Sequence, residues 1–231
     1  MAGGIDLEYA DRAIYLQETE TLVVADLHVG RVATSEIELP MGEREDLVDR
    51  LTALLDRFSP KTVVIAGDVL HSFGSIPPGV SGTVEAIRET IEGEDAEAIV
   101  LAGNHDTMLE SMLGETIRTV YEPTPGTVVH HGHEIPEVSA DIYVVGHEHP
   151  AIEIEGDRHP CFLDCPAQHD GARVLVLPAF NRFVVGTQVN GLSAADSMIP
   201  LLTDLAPCRP VIRSGGETLR FPPLESFRAF L

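Results

Sequence analysis

The chain has 231 residues, of which 44% are hydrophobic, 23% charged and 5% aromatic, and this composition excludes a fully disordered protein. Its 15 basic side chains stand against 37 acidic ones, so the formal net charge is −22. Lys61 is the single lysine. Such a surface repels polyanions, and we therefore expect no basic groove for nucleic acid.

The acidic excess resembles the composition of proteins from salt-loving archaea, because high salt screens the repulsion between carboxylates. An ordinary acidic cytosolic protein is the alternative. No apolar run reaches about 20 residues, the length that crosses a bilayer, and residues 1–8 lack the parts of a secretory signal. The three cysteines, Cys161, Cys165 and Cys208, are few for a disulfide scaffold and indicate a reducing compartment. We expect a cytoplasmic protein without a membrane span.

Short runs rich in valine and isoleucine recur along the first part of the chain, and each is typical of a buried strand. Residues 43–58, after the first run, place leucine, valine and phenylalanine on one helical face. A weaker helical pattern covers residues 82–92. Strands and helices in alternation predict an α/β core. The valine-rich runs cover residues 21–25, 62–66, 98–102, 127–129 and 142–145.

The pattern changes after residue 150, where short runs without a long helix between them predict a second, mostly β layer. Residues 190–231 carry no functional pattern. Because no linker or internal repeat divides the chain, we expect one domain over residues 1–231, with a motif core at 21–150 and a C-terminal β layer and tail at 151–231. The later strand-like runs cover residues 151–155, 173–177 and 183–186.

Polar side chains with metal-binding atoms follow five of the predicted strands. Asp26 and His28 lie on the same side of an extended segment, so they form a chelating pair. His147 and His149 repeat this spacing. Because ligands collect at strand ends in α/β sheets, five such blocks in one chain predict a shared metal site. The blocks are Asp26-Leu27-His28, Gly67-Asp68, Gly103-Asn104-His105-Asp106, His130-His131-Gly132-His133 and Gly146-His147-Glu148-His149.

A second possible metal site lies in residues 159–169. His159, Cys161, Cys165 and His169 offer four zinc ligands, but their spacing is compressed and a proline restricts the backbone between them. Buried, inert thiols are the preferred interpretation. Kinase, P-loop NTPase and serine hydrolase functions are excluded, because the chain has neither a GxxxxGK loop nor a GxSxG turn.

The blocks DLH, GDVLH, GNHD, HGH and GHEH, in this order, resemble the five signature blocks of the calcineurin-like metallophosphoesterases. The later segments PAIEI, PCFL, LPAFN and VGTQVN are similar to a small archaeal and bacterial branch that is related to DNA-repair nuclease subunits and DNA-ligase-associated phosphoesterases. The resemblance implies a four-layer αββα sandwich of two mixed β-sheets with flanking helices and a dinuclear metal site at the strand ends.

The resemblance also implies a metal-dependent phosphoesterase, and the branch favours a phosphodiesterase with a small phosphoester substrate. A phosphomonoesterase, a nuclease-like subunit and a metal-binding scaffold that acts with a partner are the alternatives. The motifs alone do not separate a diester from a monoester substrate, since both reactions use the same metal pair. Nucleic acid as substrate has no support from the charge.

By this resemblance the chain binds two divalent ions, with Mn²⁺ preferred and Fe²⁺, Zn²⁺ and Ni²⁺ as alternatives. A metal-activated water is the expected nucleophile. His105 is the expected general acid and Asp106 orients its imidazole, with helix capping as the alternative role for Asp106. The first ion would be held by Asp26, His28 and His149, the second by Asn104, His131 and His147, and Asp68 would bridge the two.

Several neighbouring side chains have open roles. His130 and His133 compete with His131 for one ligand position, and His131 is preferred because the family's ligand precedes the glycine. His71 either lines the pocket or is a solvated loop residue. It also argues against a ferric-tyrosinate centre, because purple acid phosphatases have a tyrosine at this position. Arg31 either meets the substrate phosphate or is an ordinary surface arginine.

Overall fold

The computed structural model describes residues 5–31, 42–71, 76–114 and 117–228, so residues 1–4 of the segment inspected for a signal and residues 229–231 of the tail lie outside the described ranges. The helices are α1 (Glu43–Phe58), α2 (Val80–Gly93), α3 (Leu109–Leu113) and α4 (Leu224–Arg228), with a 3-10 turn at His169–Gly171. The strands are β1 (Leu7–Ala10), β2 (Ala13–Leu16), β3 (Thr21–Val24), β4 (Thr62–Ala66), β5 (Glu97–Leu101), β6 (Val120–Thr124), β7 (Thr127–His130), β8 (Ile142–Val145), β9 (Pro150–Ile154), β10 (Asp157–Pro160), β11 (Phe162–Cys165), β12 (Arg173–Val176), β13 (Thr187–Gln188), β14 (Arg209–Ser214) and β15 (Glu217–Arg220).

The first sheet has the strand order β1-β2-β3-β4-β5, with β3, β4 and β5 parallel. Helix α1 has its predicted bounds because its apolar stripe, with Leu47, Leu51 and Leu55, is buried in one core cluster with β3 and β4. Ile87 and Ile91 of α2 join the same cluster. Helices therefore cover one face of this sheet. No helix within the described ranges has the length and apolar composition that a bilayer crossing requires.

The second large sheet has the strand order β15-β14-β11-β12-β8-β7-β6, with β7, β8 and β12 parallel. Val23 and Val64 of the first sheet share a buried cluster with Val144 and Leu175 of the second, so the two sheets pack face to face. The predicted sandwich of two mixed sheets is confirmed. The outer face of the second sheet is covered by α4, by the small sheet β10-β9-β13 and by apolar side chains between residues 189 and 208.

The carboxyl ends of the parallel strands in both sheets meet at one edge of the sandwich. The amide of Gly146, after β8, donates to the carbonyl of His131, after β7 (3.0 Å). The amide of Phe180, after β12, donates to the carbonyl of Ala25, after β3 (2.8 Å), which joins the two sheets. All five polar blocks lie on the segments that leave these strand ends.

Two regions differ from the sequence prediction. Residues 183–186 form a loop and not a strand, because the chain turns at Asn181, whose carbonyl accepts the amide of Val184, and because Gly186 has φ of 79°. The tail contains the β14–β15 hairpin, which closes at Gly215 and Gly216 with positive φ at both. A Gly-Gly pair between two apolar-patterned runs is a hairpin signal, and the sequence analysis missed it.

The expectation of buried, inert thiols at Cys161 and Cys165 is wrong for Cys165, because Cys165 at the end of β11 forms a disulfide with Cys208, which directly precedes the paired strand β14. Cys161 alone is a free, buried cysteine. Cys165 is therefore unable to serve as a zinc ligand. The cysteine argument for a reducing compartment also loses its basis, since disulfides persist in oxidising surroundings.

We expect Cys165→Ser to lower the free energy of unfolding by about 2–4 kcal/mol, because the disulfide closes a loop between residues 43 positions apart and restricts the unfolded chain. The measurement is denaturant unfolding with and without reductant. Reductant should destabilise the wild type and leave Cys165→Ser unchanged. Thiol titration of the denatured, unreduced wild type should find one thiol per chain; three thiols would contradict the disulfide.

Candidate metal centre

The five blocks bring their carboxylates and imidazoles into one cluster. Three groups of residues each have ligand atoms that all lie within 4.8 Å of one another. Asp26 and His28 are buried where the first block leaves β3, and Asp68 is buried where the second block leaves β4. The groups overlap, so they form one continuous centre. They are Asp26, His28 and His149; His28, Asp68 and His105; and Asp68, His131 and His147.

Several nitrogen and oxygen atoms of this cluster lie within hydrogen-bond distance of one another. The Nε2 atoms of His28 and His149 are 3.2 Å apart, and the Nε2 of His131 is 3.0 Å from both the Nδ1 of His147 and the Oδ1 of Asn104. The Nδ1 of His131 donates to the carbonyl of Ala66 (3.2 Å), so the lone pair of its Nε2 points into the cluster.

The Oδ1 of Asp26 is buried and has no hydrogen-bond partner among the described residues. A buried carboxylate oxygen without a partner is costly in a protein interior, and a cation would stabilise it. Together with converging imidazole lone pairs, this donor set fits a divalent metal ion. These residues therefore form a divalent metal site.

Burial and neighbouring charges shift the pKa values of the two central carboxyl groups in opposite directions. Burial favours the neutral form of Asp26, but the surrounding histidines outweigh burial and lower its pKa to about 2. Burial and the charge of Asp26 raise the pKa of Asp68 to about 8. Burial lowers the pKa of His28 to about 3 and those of His131 and His147 to about 4. Neutral imidazole is the form of histidine that binds a metal.

The backbone of the centre is held in an uncommon conformation. Five of the predicted ligands have a positive φ angle, which residues other than glycine adopt rarely. This backbone conformation costs about 1–3 kcal/mol of folding free energy at each residue, and it persists only where the surrounding structure holds it in place. The angles are 57° at Asp26, 41° at His28, 48° at Asp68, 65° at His147 and 49° at His149.

Two glycines allow the blocks to approach each other this closely. A Cβ atom at Gly103 would collide with the backbone and carboxylate of Asp68, and one at Gly146 would collide with the carboxylate of Asp26. The amide of His105 donates to Oδ1 of Asp68 (2.9 Å), and the amide of His147 donates to Oδ2 of Asp26 (3.0 Å). Backbone amides therefore orient both central carboxylates.

The structure gives Asp106 different partners from those expected. Its carboxylate accepts the backbone amides of Gly103 (2.9 Å), Leu70 (3.0 Å) and Val69 (3.2 Å). No side chain caps the N-terminus of α3, so Asp106 does not have its alternative role as a helix cap. The Nδ1 of His105 instead donates to the carbonyl of His71 (3.1 Å). Asp106 thus joins the second and third blocks through their backbone.

Among the residues with open roles, His71 and Arg31 lie beside the centre. The ring of His71 stacks on that of His105, with centroids 6.2 Å apart, and its Nε2 is 3.2 Å from a guanidinium nitrogen of Arg31. His130 and His133 belong to none of the three ligand groups formed by the described residues. His133 is a neighbour of the cluster, since its ring centroid is 5.2 Å from that of His131.

The sequence analysis assigned no role to two buried residues at the centre. Asn181 donates to the carbonyl of Leu27 (2.8 Å) and to the carboxylate of Glu43 (3.0 Å), so it supports the first block from behind. Asn181 follows β12, which is the last parallel strand of the second large sheet. A polar residue after a buried strand was the signal for the other five blocks, and the same signal could have identified Asn181. Glu148 is fully buried between His147 and His149.

We expect Glu148→Ala to weaken metal binding by about 10- to 100-fold, the usual effect of removing a group that orients ligands. Its Oε2 accepts the hydroxyl of Ser197 (2.6 Å) and the amide of Met198 (2.8 Å), which holds the fifth block in place. Glu148→Gln retains an oxygen acceptor and should keep most of the affinity. Metal titration measures both variants; wild-type affinity in Glu148→Ala would contradict the positioning role.

A family model described as calcineurin-like phosphoesterase matches residues 19–135, which is more than half of the chain. No curated protein matches it. Among solved structures, the nuclease MPE of Pseudomonas putida is 24% identical, with a TM-score of 0.68 and a match that covers 94% of this chain and 96% of that one.

YfcE, a phosphoesterase from E. coli, is 19% identical, with a TM-score of 0.43 and a match over 75% of this chain and 84% of that one. The likeness to the Pseudomonas putida structure shows a common fold. The family match covers the first four polar blocks completely and ends before the fifth. The chain belongs to the calcineurin-like phosphoesterase family, and the family implies a hydrolase that acts on phosphoester bonds.

Proposed function

We propose that the protein is a dinuclear metal-dependent phosphodiesterase that hydrolyses a small diester with water. The overlap of the three ligand groups carries this proposal, because Asp68 belongs to two of them and has partners on both sides. Its Oδ1 lies 3.4 Å from His131, and its Oδ2 lies 3.8 Å from His28. A carboxylate in this position is suited to bridge two ions.

The family resemblance implies the proposed ligand sets, and these contacts support them. Asp68 would contribute to both ions. The mixed nitrogen and oxygen donors favour Mn²⁺, with Fe²⁺, Zn²⁺ and Ni²⁺ as alternatives. When bound, such ions polarise phosphate oxygens and activate water as a nucleophile. The first set is Asp26, His28 and His149, and the second is Asn104, His131 and His147.

His105 is the proposed general acid. Its Nδ1 carries a hydrogen, because the carbonyl of His71 can only accept a hydrogen bond. Its Nε2 is 3.8 Å from Oδ2 of Asp68 and therefore faces the centre. A proton held at Nε2 would pass to the departing alkoxide oxygen. Asp106 is a positioning residue in this scheme, because its contacts are to backbone amides beside His105.

A nuclease-like function is the second candidate, and the name of the Pseudomonas putida relative is the observation that favours it. Against it stands the net charge of −22, which opposes the approach of a polyanion. A phosphomonoesterase would use the same centre. A metal-binding scaffold that acts with a partner is less consistent with a ligand set as complete as this one.

An activity panel tests the proposal. The metal-reconstituted protein is assayed in high salt against matched nitrophenyl mono- and diesters, cyclic nucleotides and DNA. We expect metal-dependent hydrolysis with the highest kcat/KM on a small diester. A higher kcat/KM on the monoester would support the monoesterase, and preferential cleavage of DNA would support the nuclease. If the protein holds its metals and hydrolyses none of these substrates, the proposal of an enzymatic function is contradicted.

We also propose that the protein is adapted to high salt, as in salt-loving archaea. The acidic excess of 37 carboxylates over 15 basic groups leaves repulsion in the folded state, and salt screens it. The melting temperature should therefore rise from low to molar KCl. Thermal unfolding followed across this range measures the effect, and a melting temperature that falls with salt would contradict the adaptation.

A further inference from the structure

A cleft of about 400 Å³ opens beside the metal centre, and His131 belongs to its wall. Its volume lies within the range of about 300–1,000 Å³ that small-molecule sites occupy. The segment that follows the fourth block, from His133 to Val138, forms much of its lining. A group attached to a phosphate at the centre would therefore have space on this side.

Two histidines in the wall of the cleft have unused hydrogen-bonding atoms. His130 is 3% exposed, and its Nε2 has no hydrogen-bond partner among the described residues. The same holds for Nδ1 of His133. These two nitrogens therefore lack the partners that buried polar atoms in proteins normally have. The ring of His133 is also 6.1 Å from that of His147, which brings the cleft close to the second ligand set.

The remaining lining residues determine which chemical groups the cleft accepts. Glu134 and Glu137 are exposed carboxylates, and none of the described lining residues is a lysine or an arginine. Ile135 and Val138 are 46% and 40% exposed, so both present apolar surface to solvent. The lining of the cleft therefore combines apolar surface with negative charge.

We propose that this cleft, the alcohol cleft, binds one organic alcohol of the phosphodiester substrate and selects alcohols that bear no anionic group. The apolar side chains contact the body of the alcohol, and Glu134 and Glu137 favour cationic over phosphorylated groups. This inference rests on the proposed phosphodiesterase function, and it specifies the class of phosphodiester that the enzyme would hydrolyse. The alcohol cleft thus disfavours a polynucleotide, whose next phosphate would meet the two carboxylates.

Three nitrophenyl phosphodiesters with one leaving group test this selection. Their second alcohols are methanol, choline and a hydroxyalkyl phosphate. In the wild type we expect kcat/KM for the choline ester to exceed that for the phosphorylated ester. The double variant Glu134→Gln/Glu137→Gln should reduce this ratio about tenfold. The choline ester loses its attraction to the two carboxylates, and the phosphorylated ester is no longer repelled by them. The methyl ester should change less than twofold.

The matched control is Glu155→Gln/Glu217→Gln, which removes the same charge from exposed positions outside the cleft lining. It should leave the choline-to-phosphate ratio at the wild-type value. A ratio that is unchanged in the cleft variant, or that falls equally in the control, would overturn the inference while hydrolysis of the methyl ester still supports the phosphodiesterase. Failure of the wild type to hydrolyse the methyl ester would overturn both the proposed function and the inference.

Discussion

Asp68→Asn is expected to weaken the binding of both metal ions and to lower hydrolysis at least about a hundredfold. Asp68 and His28 each belong to two of the three ligand groups, and of these two only the Asp68 carboxylate has a separate oxygen to offer to each of two ions. Its replacement therefore removes a charged donor from both proposed ions, whereas loss of any other ligand would affect one. Elemental analysis and activity are measured on the same reconstituted samples.

Asp157→Asn is the matched control, because Asp157 is an exposed aspartate in β10 and lies outside the ligand groups. It should retain wild-type metal content and activity. Unfolding of Asp68→Asn is checked by circular dichroism, so that loss of metal is not confused with loss of fold. A folded Asp68→Asn protein that holds two ions with wild-type affinity would show that Asp68 is not a bridge.

His105→Ala is expected to slow hydrolysis of alkyl esters by about a hundredfold or more while both metals stay bound. A general acid matters most when the departing oxygen is basic. Nitrophenolate leaves as a weak base, so the nitrophenyl ester should lose much less. The geometry that supports this effect is the Nε2 of His105, which faces the centre 3.8 Å from Asp68.

Metal content separates two possible roles of His105, since it also belongs to a ligand group with His28 and Asp68. Loss of an ion in His105→Ala would identify a ligand and contradict the acid role. Equal loss of rate for alkyl and nitrophenyl esters, with both ions present, would indicate substrate positioning. His169→Ala, a histidine substitution outside the three groups, should change neither metal content nor leaving-group dependence.

Much of the fold was predictable because local pattern and burial agree. The valine-rich runs are strands because they are buried on both faces, and β4 and β8 have their predicted cores at Thr62–Ala66 and Ile142–Val145. The ligand cluster was predictable from the order of polar blocks after these strands. Parallel strands bring their carboxyl ends to one edge, so residues far apart in the chain meet there.

The features that the sequence analysis missed depend on contacts between distant segments. Cys165 meets Cys208 only because β11 pairs with β14, a register that cysteine spacing does not contain. The partners of Asp106 are backbone amides, which every residue offers and which no motif marks. Glu148 received no role in the sequence analysis, because its contact is with Ser197, which lies 49 residues further along the chain.

The metal content of the reconstituted wild-type protein tests the central claim most directly. The protein is loaded with Mn²⁺, freed of excess ion and analysed for metal per chain, with hydrolysis of a nitrophenyl diester followed on the same sample. The dinuclear account predicts two ions per chain and activity that rises with occupancy. One ion per chain at full activity, or full activity after complete metal removal by a chelator, would contradict it.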